Sequence, residues 1–262
     1  MSVSDLVPYL TIFLLATTIT TIRYVVFAGI GYGLVWKLWK DKLSHRIIQG
    51  KLPDFSKIKH EIYYSLATMV VFGLVGVGIF IGKNHGVFLI YQNIGDKGWV
   101  YFLINLAALI LCHDAYFYFT HRLMHWKPIF PYVHRVHHKS TNPSPWAAFA
   151  FHPYEAVIEA GIVPLYTFFI PTHSLTIVLF LLYMTFLNVL GHMAFELFPK
   201  GFLSHFYTNW HNTTTHHNMH HKWFHYNYGL YFNWWDKLFG TNHPNYKQEF
   251  DLITRDPIFK KK

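Results

Sequence analysis

Charge is scarce in this sequence. Of its 262 residues, 13% are Asp, Glu, Lys or Arg, about half the share usual in a soluble domain. Acid is scarcer than base, 13 Asp and Glu against 22 Lys and Arg. That excess does not point to nucleic acid, because the basic residues fall in the gaps between apolar stretches, as they do beside an anionic leaflet. Cysteine is nearly absent, with Cys112 the only one. One cysteine excludes an internal disulfide and a cysteine-based zinc site. What the chain does have is apolar and aromatic mass, 52% and 20% of its residues, and a mean hydropathy of +0.19. Lipid is the solvent these numbers describe.

A membrane span needs roughly 20 mostly apolar residues. Such runs occur at about Leu6 to Trp36, Ile62 to Ile81 and Trp99 to Thr120. The first exceeds one span, so tilt or a kink at Gly29, Gly31 and Gly33 is expected. It lacks a basic start and a small-residue cleavage site, and so reads as a retained helix. Arg23 falls at its middle, where a charge is costly and calls for a partner. Two further runs, Ala156 to Ile170 and Leu175 to Phe195, flank Pro171 as a tight hairpin. The first is short and interrupted by Pro164, which suggests a re-entrant arm. The fold class expected is all-α, a polytopic transmembrane bundle with a His-rich helical cap.

Orientation follows the loop charges. Lys37, Lys40, Lys42, Arg46, Lys51, Lys57 and Lys59 follow the first span and assign that loop to the cytosol. No Lys or Arg precedes the span, and none occurs from Thr141 to Pro199. The consequence is that every dense histidine cluster falls on the cytosolic side, at the membrane surface.

The chain contains 20 histidines, unevenly placed. His121 and His125 are four apart, so on a helix they share a face and can hold one metal. His134, His137 and His138 form an H-x-x-H-H triplet, and His217, His220 and His221 repeat it. Each triplet, if helical, is expected to aim three imidazoles in one direction. Eight histidines exceed what one metal takes from protein, so two metals are expected. His192 and His152 are the candidates for ninth and tenth ligands. Imidazole alone does not choose the metal. An all-neutral ligand set leaves the metal charge uncompensated, so nearby carboxylates should orient the rings. Among Asp114, Glu155, Glu159, Glu196 and Asp236, Asp114 is the favoured one. It extends the His121 stripe together with Tyr118.

These motifs resemble the fatty acid hydroxylase / sterol desaturase superfamily of membrane proteins. The matching residues are Asp114, Tyr118, His121 and His125, then His134, His137 and His138, then His217, His220 and His221. A closing signature follows in Asn227, Tyr228, Gly229, Trp235, Asp236, Phe239, Gly240 and Thr241, and the stretch TNPSPWAAFAFHPYE, which carries His152, looks like the sterol desaturase branch. The resemblance covers about residues 95–242. It implies a catalytic domain there, preceded by N-terminal helices and a basic loop (1–94) and followed by a basic tail (243–262). It implies two iron ions, O2 as co-substrate and hydroxylation or desaturation of a lipid drawn from the bilayer. Asp114 and Tyr118 are the catalytic candidates. The membrane implied is the bacterial inner membrane or the endoplasmic reticulum. Where some members carry two histidines four apart at the hairpin end, this chain has Asn188 and His192, which leaves His152 as a substitute. No fused cytochrome b5 domain fits, so a separate electron donor of cytochrome b5, ferredoxin or reductase type is implied.

Two other classes compete. A membrane metal transporter predicts ionisable residues along a path through the bilayer, whereas these histidines gather at one face. A bis-histidine haem carrier needs two axial ligands per haem and leaves the repeated triplets unexplained. Phe149, Phe151, Trp146 and Tyr154 are candidate walls of a lipid site, Trp146 equally an interfacial anchor.

Overall fold

The computed structural model describes residues 3–259; the last lysines of the basic tail lie outside them. The chain is a helical membrane bundle. Helix α1 (Val3–Gly31) continues into a π-helical segment, Tyr32–Leu38. Helices α2 (Phe55–Asn84) and α3 (Gly98–Met124) follow. After the short α4 (Phe130–Val133) come α5 (Pro153–Ala160), α6 (Ile162–Phe169) and α7 (Ser174–Gly191). The cap is completed by α8 (Thr214–Trp223), α9 (Trp234–Leu238) and α10 (Tyr246–Ile253). Four helices are long and apolar enough to cross a membrane: the α1 continuum, α2, α3 and α7. On α1, Leu10, Ile19, Ile22 and Ile30 are all more than half exposed, apolar surface that lipid accommodates and water does not.

In the first span, where tilt or a kink is expected, the helix changes to the π segment directly after Gly31. Its wider turn sends Trp36 inward, where the indole Nε1 donates to the Met193 carbonyl at 2.8 Å. The following loop is anchored by Arg46, fully buried, which donates to the carbonyls of Phe198 at 3.0 Å and Asp256 at 2.7 Å.

The first arm of the hairpin is not among the helices long and apolar enough to cross a membrane. It is two eight-residue helices, and the break falls at Gly161, three residues before Pro164. The proline explains the displacement. Its ring clashes with the carbonyl four residues back and is tolerated in the first turn of a helix, so the chain starts a new helix just ahead of it. Tyr116 seals the break by donating to the Ile158 carbonyl at 2.6 Å. A Cβ on Gly161 would lie 2.6 Å from that same hydroxyl. At the far end of the hairpin, β2 (Thr172–His173) pairs in parallel with β1 (Ile90–Tyr91), and Tyr101 donates to the Pro171 carbonyl at 2.7 Å.

The two N-terminal helices also hold the turn that faces the site. Tyr24 of α1 and Ser65 of α2 both donate to the Trp146 carbonyl, at 3.0 and 2.9 Å. The buried Glu61 carboxylate accepts the Ser144 hydroxyl. Asn188 of α7 donates to the Ala148 carbonyl at 2.6 Å. Three spans thus fix residues 144–151 and present Phe149 and Phe151 inward.

Gly161→Ala is expected to lower the thermal midpoint of the detergent-purified protein, at a cost of about 1–3 kcal/mol for forcing an extra group into a closed site. Adding Tyr116→Phe, which removes the obstructing hydroxyl, should recover part of the loss. An unchanged midpoint in Gly161→Ala would show that the break is not held by this contact.

Candidate metal centre

Nine histidines converge in two groups. His121, His125, His134, His138 and His220 form one, and His137, His192, His217 and His221 the other. The sequence expectation that each triplet aims one way is corrected. In both triplets the two residues four apart go to one group and the residue between them goes to the other. His134 and His138 join the first group and His137 the second; His217 and His221 join the second and His220 the first. His121 and His125, also four apart, stay together. Positions four apart stack on one helical face, while the third residue is rotated off it, so each triplet ties the two groups together. The second triplet rides on α8. The first spans the end of α4 and the 3-10 turn His137–Lys139, so the offsets persist without a continuous helix. The groups abut: His138 stacks on His221 with centroids 4.9 Å apart, and His134 on His137 at 5.2 Å.

Five of the nine rings have their tautomer fixed by an acceptor at Nδ1. His121 donates to the Tyr228 carbonyl at 2.8 Å, His192 to Asn188 at 2.7 Å, His220 to Tyr226 at 2.6 Å and His221 to Ser140 at 2.8 Å. His134 donates to the Glu155 carboxylate at 2.7 Å. With the proton on Nδ1, each Nε2 carries only a lone pair. Yet His121 and His134 bring Nε2 to Nε2 at 3.1 Å, and His192 and His221 at 3.2 Å. Neither pair has a hydrogen to share, so these are not hydrogen bonds. The remaining Nε2 contacts run from 3.0 Å for His138–His220 to 3.3 Å for His137–His192. Ligands about 2.1 Å from a common metal stand about 3.0 to 3.4 Å from one another. The nine residues fit two cations, one per group.

The imidazoles are held neutral. Burial, reinforced by neighbouring rings, pushes His134, His137, His138, His217 and His221 well below the usual imidazole range. Burial takes His192 down to about 4. Neutral rings are what a metal requires.

Not every expected residue reaches the site. His152 does not: it caps α5, accepting the Tyr154 N–H at Nδ1. The vacated hairpin position is therefore not refilled by His152, and the second group has four histidines where the first has five. Asp114 does not orient an imidazole. Its Oδ1 accepts the N–H groups of Tyr231 and Phe232 at 3.0 and 3.2 Å. Tyr118 faces the closing signature, bonding Thr241 at 2.9 Å and stacking on Phe239, away from the metal groups. The carboxylate on a ligand ring is Glu155 instead. Asp236 accepts the N–H groups of Tyr228 and Gly229, which aims the Tyr228 carbonyl at His121. A Cβ on Gly229 would lie 2.6 Å from the Phe232 carbonyl, so this turn takes only glycine. Glu196 accepts the Thr215 N–H at the start of α8. The acids thus hold the scaffold around the rings more often than the rings themselves.

Beside the site lies an apolar cavity of about 270 Å³ bounded by α1, α2, α3, α5 to α7 and the 144–151 turn. Phe117 and Phe151 form part of its lining. Phe117 packs on His121 at 4.9 Å and Phe151 on His137 at 5.3 Å. One aromatic ring therefore stands between the cavity and each metal group. Phe149 lines it too. Trp146 packs on Tyr24 instead, and Tyr154 is exposed.

The sequence pattern described as "Fatty acid hydroxylase" matches residues 106–241. This chain belongs to the fatty acid hydroxylase family. Its relatives are of the sterol desaturase branch. It is 30% identical over 221 residues to the Delta(7)-sterol 5(6)-desaturase ERG3B of Gibberella zeae, covering 84% of this chain and 64% of that protein. It is 29% identical to the Delta(7)-sterol 5(6)-desaturase erg31 of Schizosaccharomyces pombe, covering 82% and 67%. It is 28% identical to the lathosterol oxidase of Mus musculus, covering 74% and 65%. The chain thus spans about two thirds of the length of these curated relatives. No solved structure matches it.

Two outcomes follow. His134→Ala is expected to lower bound metal several-fold, whereas His152→Ala leaves it at the wild-type level; metal analysis of the two purified variants decides, and loss of metal in His152→Ala would return it to the ligand set. Metal-free protein should lose stability as pH falls from about 6.5 toward 4. The unfolded chain takes up protons there that rings such as His192 cannot, so unfolding is favoured. A thermal midpoint that is flat or rising over that interval would contradict the burial of neutral rings.

Proposed function

We propose that this protein is a membrane non-haem di-iron oxidoreductase that uses O2 to desaturate a sterol or closely related lipid. The observation that carries the reading is the convergence of nine neutral imidazoles into two groups beside an apolar cavity. An all-nitrogen set admits several transition metals; iron is chosen because the reaction named for the relatives, oxidation of an unactivated C–H bond, calls for redox chemistry. The relatives' names favour desaturation over hydroxylation.

His121, His125, His134, His138 and His220 would hold one iron, and His137, His192, His217 and His221 the other. Such a pair supplies, when bound, O2-dependent oxidation of a C–H bond. The chain's own residues do the rest. Glu155 and the carbonyls of Tyr228, Asn188, Tyr226 and Ser140 lock ring orientation, which sharpens metal geometry. Phe117 and Phe151 shield the metal groups from water on the cavity side. Substrate enters from the bilayer, and electrons come from a separate donor of cytochrome b5, ferredoxin or reductase type. The histidine face lies toward the cytosol, as the basic loop before α2 argues, in the endoplasmic reticulum or a bacterial inner membrane. The metal-transport alternative expects ionisable side chains strung along a path through the bilayer, whereas the nine histidines gather in two adjacent groups.

The test is sterol analysis in cells that accumulate a Delta(7)-sterol. Expression of the wild type should yield the product with an added 5(6) double bond, and His137→Ala or His220→Ala should yield none. Product formation by either variant, or an unchanged lipid profile with iron-loaded wild type, would refute the reading.

A further inference from the structure

A second cavity, of about 420 Å³, is walled by the cap-side half of α7 and by the segment 198–214 that leads into α8. The helix contributes Tyr183, Phe186 and Leu187, and the segment contributes Phe198, Phe202 and Thr208. His217, one of the four-histidine group, also lines it. The first cavity meets the metal groups through Phe117 and Phe151, whereas this one touches a ligand ring directly. Asn188 and Leu230 line both cavities, so the two adjoin.

The surface of α7 says what reaches this cavity. Leu175, Val178, Leu182 and Phe186 are all exposed, and their spacing of three, four and four places them on one helical face. On a helix able to cross a membrane, such a face meets lipid. The stripe runs into the cavity, because Phe186 is part of its wall. The other wall comes from a segment that carries the exposed Phe206 and Tyr207, aromatic residues of the kind that sit at the membrane–water boundary. On the cap side the walls are tied together. The Thr214 hydroxyl donates to the Leu190 carbonyl at 3.0 Å, and the Asn212 N–H donates to the Tyr231 carbonyl at 2.9 Å. A cavity with a lipid-facing helix on one side, an interfacial segment on the other and a metal ligand in its lining suits a molecule that arrives from the bilayer.

We infer that this second cavity is a lateral portal, occupied by the lipid substrate on its way from the bilayer to the four-histidine group. This rests on the desaturase reading above and deepens it by naming the route and the metal group approached. Phe186, Leu187, Phe202 and Thr208 shape the passage, and none of them is a metal ligand.

The test uses iron-loaded full-length protein in lipid nanodiscs and a Delta(7)-sterol bearing a photoactivated diazirine. Turnover is driven by a chemical reductant, so that no donor protein has to dock. Mass spectrometry should find the label on α7 around Phe186 and on the segment around Phe202. Excess unlabelled Delta(7)-sterol should displace it, and the same excess of phospholipid should not. Leu187→Trp, which fills the cavity, should lower kcat/KM for the sterol by about ten-fold or more with iron content unchanged. Val178→Trp, on the same stripe but outside the cavity, should keep the wild-type kcat/KM and label. If Leu187→Trp fails to accumulate, the wild-type labelling decides alone. Label confined to the first cavity, label displaced equally by phospholipid, or a Leu187→Trp protein with the wild-type kcat/KM overturns the portal and leaves the desaturase reading standing. Iron-loaded wild type that neither takes the label nor oxidises the sterol overturns both.

Discussion

Lone pair facing lone pair is the constraint on which this protein is built. The Nε2 atoms of His121 and His134 lie 3.1 Å apart with both protons committed to acceptors on the opposite side of each ring. Such contacts are repulsive on their own and become favourable around a cation. The scaffold is arranged to hold them regardless. Four carbonyls from three separate segments and one buried carboxylate fix the tautomers, and burial keeps the rings neutral. Metal binding is then coupled to folding: the cap is the part of the molecule with most to gain from ligation.

The membrane helices serve the same end from the other side. The N-terminal spans hold the turn at residues 144–151 through Tyr24, Ser65 and Glu61. That turn carries Phe151 to His137, while α3 carries Phe117 to His121. Lipid-facing packing and metal geometry therefore share a wall. A change deep in α1 or α2 can reach the metal groups through a single aromatic layer.

Much of this was legible in the residues, and the failures have physical reasons. Spans were readable from length and hydropathy, because lipid enforces both. Positions four apart shared a metal group, as helical geometry requires. The middle histidine of each triplet was misassigned because three and four residues were treated as equivalent, although they differ in rotation about the helix. Asp114 and Tyr118 share the His121 stripe, but that stripe meets the closing loop before it meets the rings. His152 lies next to a proline that starts α5, and an N-terminal cap claimed its lone pair. The break at Gly161 was displaced from Pro164 because a proline disturbs the turn before it. The carbonyls that orient His121, His192, His220 and His221 had no signal at all, since backbone acceptors leave no trace in residue identity.

Iron stoichiometry reaches the centre of this account most directly. Protein loaded with ferrous iron under anaerobic conditions should hold about two atoms per chain. The His217→Ala/His221→Ala double variant, which strips two ligands from the four-histidine group alone, should hold about one. A wild type that saturates at a single atom, or a folded double variant that still holds two, would contradict the division of nine histidines into two metal sites.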